Sequence, residues 1–203
     1  MNHRFMLLVA LSIFLPAQSG CSSNAVVGTP GAEARAMKST QSAKTAIRNG
    51  EALVGEGNEI AHIVVTIGAK DGPVGFAFAN ALVRQSAGHT CQLVVLEPNL
   101  AVKPSTAIVE MVTESTMKQA TNFHGPIQAG VAQAVVDCVR EGIISNADAE
   151  SLVILCCAFL HPSAEDEKKI HDFNYDAAKL AIQRAFTGEP TIDKVIAARE
   201  SEE

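Results

Sequence analysis

The sequence has no tryptophan, a single tyrosine and a shortage of positive charge. Its 203 residues include 16 Lys and Arg against 22 Asp and Glu, which gives a formal net charge of −6. A nucleic-acid-binding protein needs a basic face to neutralise phosphates and aromatic rings on which bases stack. Because both are scarce, the composition argues against nucleic acid as a partner. Apolar residues make up 47% of the chain, enough for one domain with a packed core.

The common motifs of metal, phosphate and nucleophile chemistry are absent as well. No CxxC pair occurs, no Gly-rich phosphate loop follows a strand pattern, and no GxSxG elbow is present. The histidines lie far apart, so the sequence predicts no metal site. Four cysteines each lie in an apolar run: Cys91, Cys138, Cys156 and Cys157. In an oxidising compartment, an even number of cysteines is compatible with disulfide bonds. The favoured interpretation is instead four buried free thiols.

The N-terminus has the pattern of an export signal. Arg4 precedes an apolar run over residues 5–15, which is shorter than the roughly 20 residues that span a bilayer and typical of a signal-peptide core. We therefore predict a signal peptide over residues 1–20. Ser19, Gly20 and Cys21 resemble a bacterial lipoprotein signal, in which the Cys is lipidated after cleavage. The prediction is an exported protein, periplasmic or anchored to a membrane only through lipid on Cys21. A plain cleavable signal and a misplaced start codon are the alternatives.

The rest of the chain divides into a tether, one domain and a tail. Residues 21–44 are rich in Ser, Ala, Gly and Thr and predict a flexible tether, and residues 191–203 form a charged tail that we expect to fray. Residues 45–190 carry the domain. Apolar patterns predict strands over 60–67, 92–96, 107–113 and 152–160, the last of them central. Helices are predicted over 74–86, 115–123, from Pro126, and over 163–187. The expected fold class is α+β, with a mixed sheet and helices in two layers.

Two polar side chains stand out within this pattern. His62 interrupts an apolar strand directly after a Gly/Asn loop, and a buried His must find a partner or stay neutral. Gln128 follows Gly125 and Pro126, which predict the start of a new helix. In its first turn, Gln128 would lie beside free backbone N–H groups suited to a carbonyl or hydroxyl oxygen. Helix capping is the simpler interpretation of Gln128.

Five blocks of residues carry a resemblance to a known family. They are 50–63 (GEALVGEGNEIAHI), 71–82 (DGPVGFAFANAL), 98–104 with its PNL and KP pairs, 123–128 (FHGPIQ), and 173–190 from FNYDAAKLAIQRA to GEP. The matching blocks extend from about Lys44 to Pro190 in register. The domain resembles the tetrahydromethanopterin-dependent formaldehyde-activating enzyme family, as a divergent, exported member.

The resemblance implies a fold, an assembly and an activity. The implied fold is like that of ribosomal protein S5 domain 2, in a ring-shaped homopentamer with sites between subunits. The implied activity, in one-carbon metabolism, is that of a carbon–oxygen lyase of the hydro-lyase type. It condenses formaldehyde with tetrahydromethanopterin to the methylene adduct and water. The pterin is then a cosubstrate, and no bound cofactor or metal is implied. The family's general acid matches His62, and its pterin contacts match Leu93, Thr113 and Gln128.

Two positions depart from the family pattern. The family has an Asp two residues after the His, where this chain has Val64, and a Lys two residues before the Thr, where it has Met111. Residues two apart on a strand face the same way, so the family carboxylate would lie beside the imidazole and favour its charged form. Both departures make the expected pterin pocket less polar.

Three functions are compatible with these residues. The first, which we expect, is the lyase, acting on tetrahydromethanopterin or a related amine acceptor. The second is an exported, non-catalytic module that binds or senses formaldehyde or another small ligand. The third is a structural lipoprotein that keeps only the scaffold.

Overall fold

The computed structural model describes residues 46–86 and 90–201. The predicted signal peptide, the tether and Cys21 lie outside these ranges, so those predictions are not tested by it. Among the helices of the described ranges, none combines the length and the apolar character needed to cross a membrane.

The domain contains seven strands and six helices in its described part. The strands are β1 (Arg48–Val54), β2 (Ala61–Ala69), β3 (Cys91–Leu93), β4 (Val95–Glu97), β5 (Leu100–Ala101), β6 (Ser105–Glu110) and β7 (Leu152–Ala158). The helices are α1 (Pro73–Val83), α2 (Met117–Asn122), α3 (Gln128–Arg140), α4 (Asn146–Ser151), α5 (Glu167–Thr187) and α6 (Ile192–Glu200). A 3₁₀ turn (Gly57–Glu59) precedes β2, and a π-helical turn (Phe123–Ile127) joins α2 to α3.

Five of the strands form one mixed sheet in the order β1-β2-β7-β6-β3. Only β6 and β7 pair in parallel, and the other neighbours are antiparallel. The predicted α+β class and the central place of the strand near residue 152 are therefore confirmed. β4 and β5 form a separate two-stranded hairpin.

One face of the sheet carries the main core under α3 and α5. On β2 the residues that point to this face, Ile63, Val65 and Ile67, are at most 1% exposed. Gly50 on β1 lets α5 come close, because a Cβ at this position would lie 1.9 Å from the backbone oxygen of Ala181. Strand alternation thus leaves His62 and Val64 on the opposite face.

That opposite face is partly covered by α1. A Cβ on Gly68 would lie 2.6 Å from Cγ2 of Val74, so the first turn of α1 packs on the end of β2 that is far from His62. The sheet therefore has helices on both faces, where the sequence predicts two layers. The half of β2 that carries His62 and Val64 is only half-buried.

Two predictions about helices are wrong. Gly125 and Pro126 do not start a new helix, because the π-helical turn carries the chain without a break from α2 into α3. The wider turn accommodates Pro126, which has no N–H to donate. The tail does not fray over 192–200 but forms α6, capped by the Thr191 side chain. Strand β1, not predicted, completes the edge of the sheet beside β2.

Candidate active site

His62 on β2 faces a carboxylate from the neighbouring strand. Its Nε2 lies 3.0 Å from Oε1 of Glu51 on β1, and the two side chains are 36% and 55% exposed. A carboxylate only accepts hydrogen bonds, so Nε2 carries the hydrogen in this pair. No residue in the described ranges hydrogen-bonds to Nδ1, which leaves that nitrogen available to a substrate.

The ladder between β1 and β2 explains this contact. Leu53 is opposite His62 and Glu51 is opposite Val64, so all four side chains share the half-open face. Glu51 is the diagonal neighbour of His62, a separation that a long side chain can bridge. Arg184 on α5 holds Glu51 from behind: its Nη1 donates to the backbone oxygen of Glu51 at 2.6 Å and lies 3.7 Å from Oε2.

A carboxylate therefore reaches His62 although position 64 is Val. Sequence reasoning missed Glu51, because a partner on another strand leaves no spacing pattern. The alternation of Glu51 with the buried Gly50 and Ala52 indicates that Glu51 lies on the outer face of a strand. Only the pairing of β1 with β2 shows that this face also carries His62.

Leu93 and Gln128 come together at the other edge of the sheet. Leu93 ends β3 and is 40% exposed. The side-chain oxygen Oε1 of Gln128 accepts a hydrogen bond from the backbone N–H of Val95, two residues further on, at 2.7 Å. Gln128 does not cap a helix start, since its own backbone N–H bonds to oxygens of the π-helical turn.

The predicted site residues do not all meet within one chain. The order of strands places three strand steps between β2, which carries His62, and β3, which carries Leu93. At about 4.8 Å a step, these residues are at least about 14 Å apart. Thr113 follows the end of β6 and is exposed. Met111 extends the β6–β7 pairing, with its N–H donating to the oxygen of Ala158 at 3.0 Å.

A second polar cluster lies at the end of β6 and was not predicted. Ligand-type atoms of Glu110, Glu114 and His124 all lie within 4.8 Å of one another. Glu110 is 7% exposed, because it continues the inward-facing series of Thr106 and Ile108 along β6. Burial, and then the neighbouring Glu114 carboxyl, raise the pKa of Glu110 to about 8, and the nearby Thr90 backbone lowers it only in part. The signal in the sequence was the position of Glu110, which falls where the apolar pattern of the strand predicts a buried residue.

All four described cysteines are free thiols. Cys91, Cys138 and Cys156 are buried and Cys157 is half-buried, which agrees with the favoured interpretation for three of the four. Burial raises the pKa of Cys138 to about 12, so this thiol is unreactive near neutral pH.

The fold and the site define a small α+β domain that presents a histidine–carboxylate pair on the half-open face of its sheet. A family profile described as "Formaldehyde-activating enzyme (Fae)" matches residues 49–203. The chain is similar to three relatives that are each named "Bifunctional enzyme Fae/Hps". Identity is 54% over 151 residues with that of Methanothrix thermoacetophila, 53% over 147 with that of Methanosarcina mazei, and 52% over 149 with that of Archaeoglobus fulgidus.

These matches cover 72–74% of this chain. The chain spans only 38% of the length of each of the three relatives. The chain belongs to the formaldehyde-activating enzyme family, as its sequence predicts.

Proposed function

We propose that the protein is a formaldehyde-condensing lyase, which joins formaldehyde to tetrahydromethanopterin or a related amine. Family membership supports the use of formaldehyde, and the relatives are named as enzymes. The observation that carries the proposal is the His62–Glu51 pair, in which a carboxylate holds Nε2 and no described residue hydrogen-bonds to Nδ1. A binding module or a scaffold has no need of a histidine oriented in this way.

The proposed reaction needs one well-placed proton donor. Formaldehyde adds to a pterin nitrogen to give a carbinolamine, whose C–O bond must break. Hydroxide is a poor leaving group, so a proton delivered to that oxygen lets it leave as water. The second nitrogen then bonds to the same carbon and loses its own proton, which closes the ring. The products are the methylene adduct and one water.

The geometry assigns the donating atom. When His62 is doubly protonated, the hydrogen on Nε2 is engaged by Glu51 and the hydrogen on Nδ1 is free to pass to the carbinolamine oxygen. After transfer, the neutral ring keeps the Nε2–H form that Glu51 stabilises. Glu51 is thus a positioning residue, and His62 is the proposed general acid.

The separation of His62 from Leu93 and Gln128 supports an oligomeric site. We propose that His62 of one subunit meets Leu93, Thr113 and Gln128 of the next, in the ring-shaped homopentamer that the family resemblance implies. Exposed apolar side chains near that edge suit an interface, with Leu93 at 40%, Leu96 at 44% and Leu100 at 48% exposure. The Leu100→Glu variant should then dissociate to a monomer in light scattering, and a wild-type monomer would contradict this assembly.

Two further features belong to the proposal. The mixed sheet with α3 and α5 on one face supports an architecture like that of ribosomal protein S5 domain 2, which superposition of a crystal structure would test. The N-terminal pattern supports export and lipid attachment at Cys21. Acylation should hold the protein in the membrane fraction. A Cys21→Ser protein that stays membrane-bound, or a cytosolic protein with Met1 intact, would contradict export by this route.

The activity is tested by mixing nanomolar protein with formaldehyde and tetrahydromethanopterin. We expect condensation well above the uncatalysed rate, with no metal or cofactor added. A folded, oligomeric protein that leaves the uncatalysed rate unchanged would refute the lyase and favour the binding module. A second amine acceptor, run in parallel, shows whether the pterin is required.

A further inference from the structure

Two carboxyl groups at the end of β6, those of Glu110 and Glu114, have few polar partners among the described residues. Glu110 is 7% exposed, and neither of its oxygens has a donor in good hydrogen-bonding geometry among the described residues, where the Thr90 backbone and the Glu114 carboxyl are its polar neighbours. Oε1 of Glu114 is also buried and has no donor in good hydrogen-bonding geometry among the described residues. Buried polar atoms in native proteins nearly always have a partner, so this arrangement requires a proton or a cation.

His124 faces this pair with the nitrogen that a metal would need. Its Nδ1 lies 2.8 Å from Oε1 of Gln92, and in the tautomer that would bind a metal through Nε2 it donates its hydrogen to this oxygen. The lone pair of the neutral ring is then on Nε2, which lies 4.0 Å from Oε1 of Glu114 and 3.5 Å from Oγ1 of Thr90. An amide oxygen behind the ring is the usual kind of support for a histidine ligand.

The loop that presents Glu114 is locked by its neighbours. Oε1 of Gln119 accepts hydrogen bonds from the backbone N–H groups of Ser115, at 2.9 Å, and Thr116, at 3.0 Å. Thr116 in turn caps α2 through the backbone N–H of Gln119. A small, mostly apolar cavity of about 10 Å³ adjoins Glu110 and Glu114, with Phe123 and Leu160 in its wall. Each of the three side chains is therefore held by an ordered element: Glu110 by the end of β6, Glu114 by the capped loop, and His124 by the π-helical turn.

We propose that Glu110, Glu114 and His124 bind one divalent transition-metal ion of the zinc class. One imidazole with two carboxylates suits such an ion better than calcium or magnesium, which prefer oxygen ligands throughout. With bonds of about 2.0–2.2 Å in tetrahedral geometry, two ligand atoms of one ion lie about 3.3–3.6 Å apart. The ligand atoms here lie within 4.8 Å of one another, so side-chain adjustments of up to about 1.5 Å would bring them onto one ion.

The ion would tie the end of β6 to the π-helical turn ahead of α3, directly beside Thr113. The prediction of no metal site from sequence spacing is revised by this proposal. The ligands are brought together by the sheet and by the turn, not by a local motif. The proposal does not depend on the proposed lyase activity, since none of its three ligands is a proposed catalytic or pterin-contacting residue.

The test is zinc binding by the full chain after removal of metal with a chelator. Titration calorimetry with ZnCl₂ should give one saturable site per chain, and the thermal midpoint should rise with zinc concentration. Glu110→Gln and His124→Asn should each weaken zinc binding by at least about 10-fold. Glu97→Gln, which alters an exposed carboxylate on β4, is the matched control and should bind like wild type.

Three outcomes would overturn the proposal. They are the absence of saturable uptake by the folded wild-type chain, uptake that Glu110→Gln and His124→Asn leave intact, and Mg²⁺ binding as tight as that of Zn²⁺. His124 is 37% exposed, so its replacement leaves the core unchanged and keeps the test valid if Glu110→Gln does not fold.

Discussion

The His62 site and the Glu110 cluster use the same chemistry, imidazole beside carboxylate, in opposite surroundings. At the first, Glu51 is 55% exposed and has His62 at 3.0 Å and Arg184 behind it. At the second, Glu110 is 7% exposed and has no donor in good hydrogen-bonding geometry among the described residues, with only the Thr90 backbone nearby. A carboxylate with solvent and a partner can orient a ring. A carboxylate deprived of both must gain a proton or a cation.

Loss of the imidazole at the first site should have the largest effect. The His62→Ala variant should lower turnover by about 100-fold or more, the usual contribution of a positioned general acid. The half-exposed strand position should tolerate Ala, so circular dichroism and oligomer mass should not change. His171→Ala is the matched control, because His171 also lies 3.0 Å from a carboxylate, that of Asp172, but on α5. Equal turnover of wild type and His62→Ala would remove His62 from the mechanism.

Removing the Glu51 carboxylate should lower turnover less than removing the His62 ring. Glu51→Gln should lower kcat by about 10-fold with little change in KM, because the ring is less firmly held while the proposed pterin contacts are unchanged. Since Val64 is opposite Glu51 on the same face, Val64→Asp in the Glu51→Gln background returns a carboxylate to the ring. That double variant should recover most of the loss. Glu56→Gln, in the exposed loop before β2, serves as control, and failure of the rescue would reduce Glu51 to a structural role.

Restoring the two family positions should have a smaller effect. Val64→Asp with Met111→Lys should raise activity by less than about 10-fold, because Glu51 already supplies one carboxylate. Both changes bring charge onto a half-buried face, so the urea midpoint of unfolding should fall. Activity assays and urea titrations on the same preparations check both parts. A drop in activity would mean that the pocket is adapted to another acceptor.

The remaining prediction concerns the second site and not the activity: the pH dependence of stability, measured in chelator, should differ between wild type and Glu110→Gln. The folded-state pKa of Glu110 is raised from its ordinary value of 4.5 to about 8. Its contribution is therefore fully present below about pH 4.5 and is lost as the pH rises to about 8, because the unfolded chain gives up this proton first. Wild type should lose stability relative to Glu110→Gln between pH 5 and pH 8. Parallel urea midpoints for the two proteins would contradict the assignment.

The same contrast separates what the sequence predicts from what it does not. The central strand, the long helix α5 and the position of His62 follow from apolar periodicity and family blocks, which are local in the chain. The Glu51–His62 contact and the Glu110 cluster depend on which strands are neighbours, and periodicity does not specify that order. The prediction of a helix start at Gly125 and Pro126 was wrong for a related reason. Local propensity favours a break there, whereas packing around the buried Phe123 and Ile127 favours a continuous turn.

A site shared between subunits, with His62 from one copy and Gln128 from another, can be tested by mixing two inactive variants. His62→Ala and Gln128→Ala homo-oligomers are prepared separately, then mixed in equal amounts under conditions of subunit exchange, verified by native mass spectrometry. If the residues come from adjoining subunits, about a quarter of the sites are intact and about a quarter of wild-type activity returns. A mixture that has exchanged subunits and remains as inactive as either variant alone would contradict the shared site.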